Sequence, residues 1–72
     1  MSESVYKVVE LVGTSDKSWE KAAEAVVKRA SKSLRDLRIA KVVQLDIQIE
    51  KGKPKLFRAK MKLSFKYEDK ED

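Results

Sequence analysis

The sequence predicts an α+β fold of the order β-α-β-β, in which a three-stranded antiparallel sheet wraps around one helix. Two stretches of alternating apolar and polar residues are joined by the segment Lys51–Pro54, whose Gly and Pro are typical of a hairpin turn. Before them, apolar residues recur at three- and four-residue steps, as in an amphipathic helix. A chain of 72 residues is expected to form one domain over residues 1–72.

The N-terminal half predicts a strand followed by a helix. Residues 4–12 are rich in β-branched side chains, which favour a strand. Gly13 then supplies a turn, and the polar residues 14–16 can each cap the N-terminus of a helix. The helix is predicted at about residues 17–34, and Trp19 at its start is interpreted as part of the core or of an interface. The apolar recurrence comprises Trp19, Ala22, Ala23, Val26, Ala30, Leu34 and Leu37.

The C-terminal half predicts two strands. In the first, at about residues 39–50, the alternation breaks around Lys41, which indicates either a β-bulge or a segment buried on both faces. The second, at about residues 55–67, alternates throughout, so one face is expected to pack on the helix while the other is basic. Residues 68–72 form an acidic tail.

The predicted helix is too short to cover two strands of this length, so apolar sheet surface is left over. Small domains without disulfides or metals often gain stability by self-association. The sequence therefore predicts a homo-oligomer.

The composition excludes several chemistries. The chain has no Cys and no His, which rules out disulfides, thiolate nucleophiles, Ser-His-Asp triads and the usual zinc sites. No other nucleophile and base can be identified, so we expect a protein that is not an enzyme. The N-terminal residues lack the apolar region of a signal peptide and no apolar run is long enough to span a membrane, which predicts a cytoplasmic protein without membrane contact.

The basic strand face is one candidate binding surface. The net charge is +5, and residues 51–66 contain seven Lys or Arg and no acid. Such a face attracts nucleic acid or other polyanions, here through Arg58, Lys60, Lys62 and Lys66. The aromatic residues of the strand have the opposite parity, so no stacking platform accompanies the charges. A solvated basic face is the favoured interpretation, and nucleic acid is an unlikely partner.

Asp46 is the second candidate, because its carboxylate lies on a polar strand face. The favoured interpretation is an ion pair with Lys or Arg of the adjacent strand. The alternative is a metal ligand for a hard cation such as calcium, which would need symmetry copies or backbone carbonyls to complete the site.

The chain resembles the dodecin family over about residues 4–67. The resemblance is carried by VYKVVELVGTS at residues 5–15, SWE at residues 18–20, the KRA of residues 28–30 and the strand from Phe57 to Phe65. It implies a β-α-β-β subunit in a hollow homododecamer that binds and stores a small ligand and is not an enzyme.

The resemblance also implies where a flavin would bind. Flavin-binding dodecins stack the ring on a Trp at the start of the second strand and hydrogen-bond it to a Gln on the third. Those positions fall on Ile39 and Arg58 here, and an Arg further along the second strand falls on Asp46. These replacements predict that binding of FMN or riboflavin is lost or weakened. The chain is most similar to the non-flavin branch of the family, for which calcium binding is proposed.

Overall fold

The computed structural model describes residues 3–67, and the statements below concern that part of the chain. The elements are β1 (Tyr6–Ser15), α1 (Trp19–Ser33), β2 (Leu37–Glu50) and β3 (Lys53–Lys66). The strands form one antiparallel sheet of order β1-β3-β2, with β3 in the centre. The predicted fold class and element order are confirmed, and the predicted acidic tail at residues 68–72 lies outside the described residues.

The first strand begins and ends later than predicted, and Gly13 is not a turn residue. β1 continues to Ser15 because its pairing with β3 continues to the position opposite Phe57. Gly13 is buried in the strand opposite Ala59, against the helix. A Cβ on Gly13 would lie 2.4 Å from the carbonyl oxygen of Ala22, so Gly is required here for the close approach of helix and strand.

The helix begins later than predicted, and its cap is Ser18 rather than a residue of the segment 14–16. The Ser18 hydroxyl accepts a hydrogen bond from the Lys21 amide at 3.0 Å. Ser15 instead shapes the connection before the helix, because its hydroxyl accepts from the Lys17 amide at 2.9 Å. The helix ends at Ser33, so Leu37 belongs to β2 and not to the helical stripe.

The hairpin between β2 and β3 turns through two residues, Lys51 and Gly52. Both have positive φ, 52° and 73°, which is the geometry of the type I′ turn that suits a twisted hairpin. Pro54 therefore lies within β3, near its start, rather than in the turn. Along β2 the register shifts between Val42 and Gln44, so the break in alternation predicted around Lys41 is a β-bulge.

The core lies between the helix and the central strand. Its buried members are Ala22, Val26, Ala30, Ala59, Met61 and Leu63. Three of the six are alanines, whose small side chains let the helix backbone approach the sheet closely. The predicted division of β3 into a face packed on the helix and a basic face is confirmed, because the Lys and Arg residues alternate with this buried set.

Much apolar surface remains uncovered in the single chain. Large hydrophobic side chains are exposed on both edge strands, among them Val8 and Val12 of β1 and Ile49 of β2. The helix packs mainly on β1 and β3, and it leaves Val42 and Leu45 of β2 47% and 46% exposed. These two side chains and Trp19 line an open apolar groove along the helix. No helix in the described part of the chain is both long enough and apolar enough to cross a membrane.

Candidate functional site

The residues predicted to form a site lie on the sheet face that is turned away from the helix. We call it the outer face. Its β3 members are Arg58, Lys60, Lys62, Ser64 and Lys66, and their register partners on β2 include Ile39, Lys41, Gln44 and Asp46. The antiparallel register places Asp46 directly opposite Arg58 and Ile39 directly opposite Ser64. Asp46 and Arg58 therefore meet, whereas Ile39 lies three rows further along the sheet.

Asp46 and Arg58 form a bidentate ion pair. The Arg58 Nε donates to Oδ1 of Asp46 at 2.7 Å, and a terminal guanidinium nitrogen donates to Oδ2 at 2.9 Å. Both carboxylate oxygens thus accept from one guanidinium, which is the strongest arrangement of such a pair. The ion pair favoured by the sequence is present, with Arg58 as the partner.

The pair changes the electrostatics of both groups although it remains open to solvent, with side chains 41% and 46% exposed. The hydrogen bond from Arg58 lowers the pKa of Asp46, partial desolvation opposes this, and the charges of Arg58 and Lys60 lower it further. The same hydrogen bond and the Asp46 charge raise the pKa of Arg58. The carboxylate is therefore held in its ionised form by two neighbouring cations.

Trp19 supports the strands that carry the pair from the opposite side of the sheet. Its indole Nε1 donates to the backbone carbonyl of Asp46 at 3.1 Å. Its ring contacts Phe57 edge to face, with a centroid distance of 5.2 Å. One side chain thus contacts β2 at Asp46 and β3 next to Arg58, which fixes the two strands relative to each other. The sequence indicated a core or interface role for Trp19 but not these contacts.

Ile39 does not provide a stacking surface for a flavin. It is 60% exposed on the outer face and its neighbour across the strand is Ser64. Of the described aromatic residues, Trp19, Phe57 and Phe65 lie on the helix side of the sheet. Tyr6 is in the row next to that of Ile39 but lies on β1, with β3 between them, and Tyr67 follows the end of β3. The residues around Ile39 therefore do not fit a stacked isoalloxazine ring within one subunit.

The fit to calcium is equally incomplete within one subunit. Calcium takes about six to eight oxygen ligands, whereas residues 3–67 bring no three acidic side chains together. The Asp46 carboxylate already has a guanidinium on both oxygens. A calcium site that used Asp46 would need ligands from other copies of the chain and would have to displace Arg58.

Stability should depend on pH through Asp46. Its folded-state pKa lies below the ordinary value of 3.8, so the pair stabilises the fold above that value and the contribution is lost as pH falls through the lowered pKa. We expect Asp46→Asn to lose stability at neutral pH and to show a smaller further loss on acidification than the wild type. Urea unfolding at pH 7 and at pH 3 measures both. Arg58→Gln should reproduce the effect, and a double variant that loses the sum of the two single losses at pH 7 would contradict the pairing.

Comparisons with known proteins agree with the fold and the resemblance. The sequence model of one protein family, described as Dodecin, matches residues 5–68. A protein called calcium dodecin from Mycobacterium tuberculosis is 43% identical over 63 residues, which cover 88% of this chain and 89% of that protein. A dodecin from Thermus thermophilus is 37% identical over 65 residues, covering 90% of this chain and 94% of that protein.

Solved structures give the same result. Dodecin from Streptomyces coelicolor superposes with a TM-score of 0.88 at 39% identity, covering 96% of this chain and 99% of that one. The structure of the M. tuberculosis calcium dodecin, described as having a novel calcium-binding site, superposes with a TM-score of 0.81 at 39% identity, covering 96% of this chain and 99% of that one. The similarity extends over the helix and all three strands.

Proposed function

The chain belongs to the dodecin family, and on that premise we propose that it is a non-enzymatic binding and storage protein, a hollow homododecamer in which the family's flavin site is disabled. The cytoplasmic location expected from the sequence stays a prediction.

The observation that carries the proposal is the Asp46–Arg58 pair. The resemblance implies that flavin-binding members use these two positions for an Arg and for the Gln that hydrogen-bonds the ring. Here each side chain is engaged by the other through two hydrogen bonds. A flavin would have to break that pair and would find Ile39 where the stacking Trp is expected. The ring therefore loses the stacking contact of the Trp and the hydrogen bond of the Gln.

The uncovered apolar surface supports self-assembly. Val42 and Leu45 of β2 line the groove beside the helix and are exposed in the single chain. An exposed apolar patch of this kind is typical of a protein–protein interface. We expect a second copy of the chain to cover this surface, because the resemblance to dodecins implies a homododecamer. Burial of these side chains would add to the core, to which residues 3–67 contribute six buried side chains.

A titration of riboflavin with the purified protein tests the flavin part of the proposal. Stacking quenches flavin fluorescence, so we expect no quenching at micromolar protein. A preparation that is yellow as isolated, or that quenches riboflavin stoichiometrically, would show that the site is functional.

Calcium binding is the second candidate function, favoured by the 43% identity to calcium dodecin. If Asp46 is a ligand, Asp46→Asn should abolish the heat of calcium binding. Arg58→Gln, which frees both carboxylate oxygens, should tighten it severalfold, because the competing cation is gone. Calorimetry on the two variants and the wild type decides this. Calcium binding by Asp46→Asn with wild-type affinity would exclude Asp46 as a ligand.

A further inference from the structure

Three lysines that form no ion pair with Asp46 lie together on the outer face. Lys41 of β2 is directly opposite Lys62 of β3 in the antiparallel register, and Lys60 lies two residues from Lys62 on the same face. Directly opposed side chains have Cβ atoms about 5 Å apart. We call Lys41, Lys60 and Lys62 the lysine cluster.

The β-bulge in β2 creates this cluster. Residues 41 and 44 are three positions apart and would face opposite sides of a regular strand. The register shift between Val42 and Gln44 puts both Lys41 and Gln44 on the outer face, with Gln44 opposite Lys60. The cluster therefore combines three ammonium groups with one side-chain amide, all of which donate hydrogen bonds.

No acidic side chain among residues 3–67 neutralises the cluster through an ion pair. In the described part of the chain, none of its three ammonium groups lies within 4.0 Å of a carboxylate. Glu10 is opposite Lys62 on β1 but forms no ion pair with it. Like charges directly opposite each other destabilise a sheet. The Lys41–Lys62 pair thus lowers the stability of the fold. An anion bound between the two ammonium groups would restore it.

The surroundings limit the size of the anion. On one side the next row is the neutralised Asp46–Arg58 pair, and on the other it is the row of Ile39, Ser64 and Val8. The lysines span one two-residue step, about 7 Å along the strand. That length is comparable to two linked phosphate groups. Further phosphates of a longer polyanion would lie over the neutral rows on either side and would have no unpaired lysine to contact there. No aromatic side chain lies in the rows of the cluster to stack a base.

We propose that the lysine cluster, with Gln44, binds a small ligand through a diphosphate group. The described acidic side chains near the three ammonium groups are Glu10 and Asp46, and Asp46 is already neutralised by Arg58. A local excess of positive charge remains, which a diphosphate neutralises.

All residues of the proposed site belong to one chain, so the site needs no residue from a second copy. The two rows of the cluster lie between Ile39 and the Asp46–Arg58 pair, so a flavin held at those three positions would cover them. The site is therefore proposed for the flavin-free protein and rests on the proposed loss of flavin binding; riboflavin binding by the purified protein would refute that loss, whereas flavin-free protein that does not bind pyrophosphate would refute the diphosphate site alone.

Calorimetry at low ionic strength tests the site, with inorganic pyrophosphate as the probe and sulfate as the control anion. We expect the wild type to bind pyrophosphate more tightly than sulfate. The variant Lys41→Gln/Lys62→Gln should lose about tenfold or more in pyrophosphate affinity, since it removes two charged contacts. The control Lys28→Gln/Lys53→Gln loses the same charge outside the cluster and should stay within about twofold of the wild type.

Thermal unfolding gives a second measurement that does not depend on the heat of binding. Pyrophosphate should raise the melting temperature of the wild type and of the control but not that of Lys41→Gln/Lys62→Gln. The cluster variant should itself melt no lower than the wild type, because it removes a like-charge pair. Equal losses of affinity in both double variants, or no preference of the wild type for pyrophosphate over sulfate, would overturn the proposal. So would tight binding of a single-stranded oligonucleotide without binding of pyrophosphate.

Discussion

Gly13→Ala is expected to lower the free energy of unfolding by about 3 kcal/mol, at the upper end of what overpacking a core costs. The added Cβ would lie 2.4 Å from the Ala22 carbonyl oxygen and 2.5 Å from Cγ2 of Val26. The first of these atoms is helix backbone and cannot rotate away. The helix must therefore move off β1, and the contacts of the small core around Val26 are disturbed with it.

Urea unfolding followed by circular dichroism measures this loss, and Gly52→Ala is the matched control. A Cβ on Gly52 meets nothing within 4 Å, but its φ of +73° disfavours any L side chain. That strain costs about 1 kcal/mol. A loss at Gly13 no larger than the loss at Gly52 would show that the helix and β1 are not in the close contact described.

Restoring the family's flavin residues should create flavin binding. We expect the triple variant Ile39→Trp/Asp46→Arg/Arg58→Gln to bind riboflavin about a hundredfold more tightly than the wild type. The new Trp supplies a stacking surface. Arg58 is engaged by Asp46 in the wild type, whereas the Gln that replaces it is free to hydrogen-bond the ring. Ile39 is 60% exposed, so the larger ring has room. Quenching of riboflavin fluorescence measures the gain.

A control variant separates a restored site from a new apolar surface. Ile49 is on the same strand and is 67% exposed, so Ile49→Trp/Asp46→Arg/Arg58→Gln presents an equally accessible indole at the other end of β2. We expect it to gain no more than about threefold, the lower end of what one aromatic contact contributes. An equal gain in both triple variants, or none in either, would contradict the placement of the flavin positions on Ile39, Asp46 and Arg58.

Local pattern predicts that β2 and β3 form a hairpin and which side chains of β3 face the helix, but it places Pro54 in the turn, whereas Pro54 lies in β3. The alternation in β3 depends only on residues two apart in the sequence, and it correctly predicts that Leu63 is buried and Lys62 exposed. The turn predicted at Gly13 is wrong because a glycine in a sequence is compatible with a turn and with a close approach of backbones, and only the helix packed against Gly13 distinguishes the two. The extension of β1 to Ser15 likewise depends on pairing with a residue far along the chain, Phe57.

The candidate site shows the same limit. An acidic residue on a polar strand face predicts some cross-strand partner for Asp46, but the register decides that the partner is Arg58. The register in turn depends on the bulge between Val42 and Gln44. Unless the position of the bulge is known, Lys41 cannot be assigned to the same sheet face as Lys62. The basic residues predicted from β3 alone also include Arg58, whose charge is already paired with Asp46. Tertiary pairing, rather than residue type, defines both groups.

Native mass spectrometry of protein purified without added flavin tests the central claim most directly, because it reads subunit number and bound mass together. The proposal predicts an assembly of twelve subunits with no mass corresponding to flavin. A monomer or dimer would contradict the homododecamer, and a mass excess equal to whole numbers of flavin molecules would contradict the disabled flavin site.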